Sequence, residues 1–133
     1  MGLFSKAPKP NPKITIEGVE ITFHQEYGGW AFTYRGAEFS SYAFALSLPK
    51  KAELDFILET LESLKPEMRT RLQKGLSDWG SKLDDGESYS INVQDFARDK
   101  TFIVSWSDGA SWGDLGADFT IKDRAIIDES WGD

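Results

Sequence analysis

Apolar and polar residues alternate along the first third of the chain. Four such runs occupy residues 14–16, 19–23, 30–34 and 37–44. A period of two sends successive side chains to opposite faces of a strand, so each run predicts a strand with one apolar face. Glycines between the runs are typical of tight chain reversals. The pattern therefore predicts a meander of about four antiparallel strands.

The spacing of apolar residues changes to that of a helix after Pro49. Leucines and one isoleucine recur at three- and four-residue intervals through residues 54–64, which indicates one buried helix face. Lys65 and Pro66 predict a break, because proline removes a backbone donor and restricts the residue before it. A second stripe consists of Met68, Leu72, Leu76 and Trp79. Gly80 is typical of a helix end, so two helices in a hairpin are predicted.

Period-two alternation returns after the helices. Runs at 89–93, 102–106, 119–121 and 126–127, separated by polar turns, predict a second strand meander. The order of strands, helices and strands is typical of an α+β domain. We therefore predict an antiparallel sheet, built from two meanders, with a two-helix hairpin packed on one face.

The composition predicts one globular domain without a membrane segment. Residues 1–12 contain three prolines and no sustained periodicity, which predicts a disordered leader before a single domain over residues 13–133. The chain has no cysteine, which excludes disulfides and thiolate chemistry and fits a reducing compartment. The longest apolar run, 42–46, is far shorter than the roughly 18 residues of a membrane helix. We expect a cytoplasmic protein that does not enter membranes.

Negative charge is concentrated at the end of the chain. The net charge is −7, and residues 105–133 hold seven acidic residues against only Lys122 and Arg124. An acidic surface repels phosphate backbones, so nucleic acid is not an expected partner. The complementary partner is a basic protein.

A Ser-Trp pair followed two residues later by Asp occurs three times, at 105–108, 111–114 and 130–133. Tryptophan offers flat apolar area and aspartate offers acceptor oxygens, which suits a docking surface or a sugar platform. The competing interpretation is that the tryptophans cap the sheet and the aspartates stabilise turns. Phe119 and Ile121 are expected to face the core. The candidate partner-binding residues are Trp106, Asp108, Trp112, Asp114, Asp118 and Trp131.

Catalytic and metal-binding motifs are missing from the sequence. His24 is the only histidine, and Glu26 is its nearest candidate partner for acid–base chemistry. No phosphate loop, dinucleotide fingerprint or nucleophile elbow is present. Asp108, Asp114 and Asp118 are too widely spaced for a calcium loop of the D-x-D-x-D-G type. We therefore assign no catalytic residue, no metal ligand and no cofactor.

In size, acidity, aromatic content and missing catalytic motifs, the chain resembles bacterial toxin-immunity proteins. These are typically small cytosolic α+β domains that block a frequently basic toxin. The resemblance is one of general make-up, so no residue role is carried over from it. It implies an inhibitory protein that docks onto a basic toxin domain. The alternatives are a small-ligand or carbohydrate-binding module that uses the Trp/Asp loop, and an enzyme whose site the sequence does not reveal.

Overall fold

The structure is a computed structural model, and it describes residues 12–16, 18–24, 28–42, 49–81, 83, 88–107 and 115–132. The predicted leader, apart from Pro12, lies outside the described residues. In chain order the elements are β1 (Lys13–Ile16), β2 (Val19–His24), β3 (Gly29–Tyr34), β4 (Ala37–Ser41), α1 (Lys51–Asp78), β5 (Ser88–Asn92), α2 (Phe96–Asp99), β6 (Phe102–Ser107), β7 (Gly116–Lys122) and β8 (Ala125–Gly132).

The eight strands form one sheet in which the spatial order equals the chain order. Neighbouring strands are antiparallel, as predicted, with one exception. β4 and β5 run parallel and share two residue pairs, Phe39 with Ile91 and Ser40 with Asn92. The exception arises because α1 carries the chain back between these strands, and a crossover of this kind returns the next strand in a parallel direction.

The predicted two-helix hairpin is wrong, because the segment forms one continuous helix. α1 runs through Pro66, and its buried positions keep their spacing on both sides of the proline. A proline in a helix interior costs about 3 kcal/mol. Each fully buried apolar side chain contributes about 1.5–3 kcal/mol, so the long apolar face outweighs that cost. The buried residues are Leu54, Ile57, Thr60, Leu61, Leu64, Met68, Leu72 and Leu76.

Local contacts define both ends of α1. At the start, the backbone N–H of Lys50 donates to Oε1 of Glu53 at 3.0 Å. At the end, Gly80 adopts a positive φ of 74°, and the N–H of Ser81 donates to the carbonyl of Leu76 at 2.8 Å. This is the left-handed termination that glycine favours, and it confirms the predicted helix end.

α1 covers one face of the sheet, and the core lies between them. Central side chains of that face, including Phe39, Ile91, Val104 and Phe119, are at most 1% exposed. We call the other side of the sheet the open face. It carries small hydroxyl and charged side chains that are half-buried or exposed, among them Thr22, Ser40, Ser90, Ser105, Asp118 and Asp128. Within the described residues, no helix is long and apolar enough to span a membrane.

Two of the predicted turns are two-residue hairpin loops. Arg35–Gly36 joins β3 to β4, and Asp123–Arg124 joins β7 to β8. All four residues have positive φ values, between 50° and 79°. Turns of this kind match the twist of the flanking strands and fix their register. The second loop therefore helps to determine which residue of β8 stands beside Asp118 of β7.

Candidate partner-binding surface

The first and third Ser-Trp units lie at the same level of the sheet, on either side of β7. β6 and β8 are both antiparallel to β7 and are therefore parallel to each other. Ser105 and Ser130 both pair with Asp118. Directly paired side chains point to the same face, so these three residues form one row across the open face.

The tryptophans of the same two units form a second row on the opposite face. Trp106 and Trp131 both pair with Ala117. Ala117 is 1% exposed, and its small side chain leaves room for an indole on each side. The repeat therefore has a geometric meaning: the same dipeptide on two parallel strands sends serine outward and tryptophan toward α1.

Trp106 belongs to the core and not to the candidate surface. Its side chain is 3% exposed and packs on Tyr89 with ring centroids 4.9 Å apart. The alternation that groups it with Phe102 and Val104 was correctly predicted, and that side of β6 is the buried one. Its indole Nε1 has no hydrogen-bond partner among the described residues. A sugar platform that uses Trp106 loses support from this burial.

Trp131 lies at the border between core and surface. Its half-buried indole packs against Gly75 of α1. The indole Nε1 donates to Oε2 of Glu129 at 2.7 Å. The other oxygen of Glu129 accepts from Arg71 at 3.4 Å. These contacts hold the end of β8 against the helix, and Glu129 shares Arg71 with Glu67 of α1.

Trp79 is a surface residue that sequence reasoning assigned to the buried helix stripe. It lies just beyond the end of α1, where the chain turns away at Gly80, and it is 67% exposed. Together with Trp131 it lines a groove of about 500 Å³ between the end of α1 and β8. The signal in the sequence was the adjacent glycine, because a residue at the helix terminus leaves the helical stripe.

Unpaired negative charge is present on the open face of the last hairpin. Asp118 and Asp128 are both exposed. Asp128 pairs with Thr120, which places it on the same face as Asp118 and one step along the strands. Neither aspartate forms an ion pair or a hydrogen bond with any described residue. Both carboxylates are therefore accessible to a partner.

The carboxyl groups with lowered pKa values, Glu53, Asp55 and Asp99, are not among the candidate partner-binding residues. The backbone N–H of Lys50, followed by the Lys100 side chain, lowers the pKa of Glu53. A hydrogen bond from the Tyr34 hydroxyl lowers the pKa of Asp55. The hydroxyl of Thr101 lowers the pKa of Asp99. Each of these carboxylates already has its donors within the fold, so we interpret them as structural contacts.

Three predicted partner-binding residues, Asp108, Trp112 and Asp114, lie outside the described residues. The predicted burial of Phe119 and Ile121 is confirmed, since both are 0% exposed. The candidate residues that remain on the described chain lie on both sides of the last strands: Asp118 and Asp128 on the open face, and Trp131 and Trp79 on the helix side. Sequence reasoning missed Asp128 and Trp79.

His24 ends β2 and is half-buried, whereas its proposed partner Glu26 lies outside the described residues. Among the residues that the structure describes, no group of three or more histidine, aspartate or glutamate side chains is placed to hold a metal ion. Comparison with known proteins found no matching family model, no matching curated protein and no matching solved structure.

Proposed function

We propose that this protein binds and neutralises a basic protein partner in the cytoplasm, as bacterial toxin-immunity proteins do. The docking surface is the open face of β6, β7 and β8. The observation that carries the proposal is the row Ser105–Asp118–Ser130 with Asp128 beside it, which presents two exposed carboxylates without ion-pair partners on the described chain.

The composition of this row suits recognition of cationic side chains. Serines flank Asp118 on both neighbouring strands, so no bulky side chain covers its carboxylate. A carboxylate accepts two parallel hydrogen bonds from an arginine guanidinium, which gives both strength and orientation. The net charge of −7 adds a long-range attraction that speeds the encounter with a basic protein.

The partner is sought first in the gene adjacent to the one that encodes this chain. Co-expression of the two products should yield a complex that co-purifies at a one-to-one ratio. If the neighbour is toxic when expressed alone, this chain should restore growth. A neighbour that neither binds nor is neutralised contradicts the proposal for that partner, and a screen of basic proteins from the same cell then decides the general case.

The role of the open face is tested with a charge-neutral double variant, Asp118→Asn with Asp128→Asn. We expect association with the basic partner to slow by about tenfold at low salt and to depend less on salt, because surface charges act mainly on association. The matched control is Glu38→Gln on β4 with Glu59→Gln on α1, two exposed acids outside the proposed docking strands β6 to β8 that make no ion pair with described residues. The control removes the same charge, so equal effects of both variants would contradict a local docking face.

A further inference from the structure

β8 forms an edge of the sheet that is long enough to accept another strand. It has eight residues, and among the described strands it pairs only with β7. A register irregularity between Thr120 and Ile121 leaves Ile127 without a partner on β7. Such a bulge disturbs regular pairing, so the edge available to a new strand consists of the five residues from Asp128 to Gly132, which is the usual length of a short strand.

The two faces beside this edge differ in chemistry. On the open face, Asp128 and Ser130 lie next to the edge, with Asp118 one strand further in. On the helix face, the carboxylate of Glu129 already accepts hydrogen bonds from Arg71 and from the indole N–H of Trp131. A new strand would therefore meet unpaired carboxylates on one side and, on the other, a tryptophan beside a carboxylate that already has hydrogen-bond donors.

The aromatic side continues into the groove at the end of α1. Trp79 is 67% exposed. Its indole and that of Trp131 supply the apolar surface of the groove, whose remaining lining residues are Gly75 and the charged Arg71, Lys74, Asp78 and Glu129. Because α1 ends here, the groove lies open beside β8, at the level where side chains of an added strand would point toward the helix layer. Exposed tryptophans next to a groove are the usual anchors of an interface.

We propose that an extended segment of the basic partner adds to β8 as a ninth strand, with alternating basic and apolar side chains. The basic side chains face Asp118 and Asp128, and the apolar ones enter the Trp79–Trp131 groove. This inference rests on the proposed function and specifies the backbone conformation in which the partner binds. Backbone hydrogen bonds supply affinity in strand addition, and side chains at every second position supply specificity.

A second copy of the chain is a poorer occupant of the same edge. Pairing of β8 with β8 would bring the Asp118 and Asp128 carboxylates of two copies onto one face, and like charges on adjacent strands repel each other. A strand with basic residues on that face has the opposite sign. The charge on the open face therefore selects a basic segment over self-association.

The probe is a short peptide in which lysine alternates with valine and leucine. Its binding to the full chain is followed through the indole N–H signals of Trp79 and Trp131, with those of Trp30 and Trp106 as internal references. We expect the first two signals to move and the reference signals to stay. A peptide of the same composition with all lysines grouped at one end should bind at least about tenfold more weakly, because it loses the period of two.

Backbone methylation of the peptide tests the strand pairing itself. In an added strand, every second N–H group points toward β8 and the others point to solvent. Methylation at alternate positions should therefore abolish binding, while methylation at the positions between them leaves it unchanged. If the contact were merely electrostatic, binding would not depend on which of the alternating positions is methylated.

Two protein variants test the aromatic side. Trp79→Ala should weaken the peptide by at least about tenfold, as expected for an anchor. Tyr42→Ala removes an aromatic side chain that is 50% exposed elsewhere and should leave binding unchanged. If the methylation pattern is absent, or if both variants behave alike, the strand-addition proposal is wrong.

Failure of this inference is distinguishable from failure of the proposed function. In one outcome, the basic partner associates more slowly with the Asp118→Asn and Asp128→Asn variant but binds Trp79→Ala as tightly as the parent. This outcome supports the proposed function and contradicts strand addition. Self-association that competes with the peptide for β8 overturns the choice of occupant. Loss of binding on methylation at every second position, together with weaker binding to Trp79→Ala, supports strand addition by a basic segment.

Discussion

The indole of Trp131 lies so close to Gly75 that a methyl group at position 75 would stand 2.1 Å from the indole Cζ2 atom. Glycine in a helix interior costs about 1 kcal/mol relative to alanine. α1 contains this unfavourable residue at the place where the edge strand must approach the helix. The close approach joins the end of the helix to the last strand of the sheet.

Gly75→Ala should therefore destabilise the protein, although alanine is the better helix former. The inserted methyl group displaces the indole, and overpacking of this kind costs about 1–3 kcal/mol. With Trp131→Ala already present, the same substitution should instead stabilise by up to about 1 kcal/mol. Urea unfolding of the parent, the two single variants and the double variant measures both changes in the free energy of unfolding. A stabilising Gly75→Ala in the parent chain would mean that the indole moves aside without cost.

Pro66→Ala should stabilise the chain, because it restores a backbone donor in the middle of α1. We expect a gain of up to about 3 kcal/mol, the full cost of proline in a helix interior. Gln73→Ala, at an exposed position of the same helix, serves as a control and should change the stability by less than about 0.5 kcal/mol. Urea titration of the parent and of both variants measures these changes in the free energy of unfolding. No gain from Pro66→Ala would indicate a helix interrupted at that residue.

Truncation of two leucines of α1 to alanine should destabilise the protein to different extents, although the sequence predicted both side chains to be buried. Leu61 is 0% exposed, and Leu58 is half-buried at the edge of the apolar face. Leu61→Ala should cost about 2–5 kcal/mol. Leu58→Ala should cost about half as much, because it removes less buried area. Equal losses in thermal or urea unfolding would place the helix in a different rotation about its axis.

The contact between Glu53 and the start of α1 should make stability depend on acid pH. Its pKa is lowered from the ordinary value of 4.5, first by the hydrogen bond from the Lys50 N–H. A lowered pKa stabilises the folded state above the unfolded value, and that stabilisation is lost as the pH falls through the lower, folded value. The parent should therefore be more stable than Glu53→Gln at pH 7, with the difference shrinking below pH 4.5.

Glu59→Gln is the control for this pH dependence, since Glu59 is exposed and makes no ion pair with described residues. Its stability should stay parallel to that of the parent at every pH. A difference between the parent and Glu53→Gln that is independent of pH would contradict a role for the ionised carboxylate.

The elements that were predictable from the sequence depend on local patterns. Alternation located most of the strands, and the Arg35–Gly36 pair identified a hairpin loop, because both signals act over a few residues. The last strand was predicted only at 126–127, whereas β8 runs from Ala125 to Gly132. The continuity of α1 across Pro66 was not predictable in this way, since it depends on how much apolar area the sheet covers. Trp79 was misassigned for a related reason: helical spacing alone does not reveal that the helix has already ended.

The candidate site was only partly predictable. Trp131 was identified from the repeat and Asp118 from the acidic character of residues 105–133, but the meaning of the repeat required the strand register that places Ser105 and Ser130 on both sides of Asp118. Register depends on loop length and on the pairing of distant segments. Asp128 was missed because nothing in the sequence shows that it stands diagonally across from Asp118.

The parallel junction between β4 and β5 has a consequence for how the molecule folds and opens. Each group of four strands is joined by short local connections, whereas β4 and β5 meet only after the chain has passed through α1, and such non-local closure is slow. We expect the two halves of the sheet to form separately and to meet late. The amide proton of Val93, which donates across the junction to the carbonyl of Ser40 at 2.9 Å, should exchange faster than those of Val104 and Phe119. In the folded protein, α1 contacts both halves of the sheet. Asp55 accepts a hydrogen bond from the Tyr34 hydroxyl of β3, and Gly75 packs against the Trp131 indole of β8. The helix therefore joins the two halves into one cooperative unit.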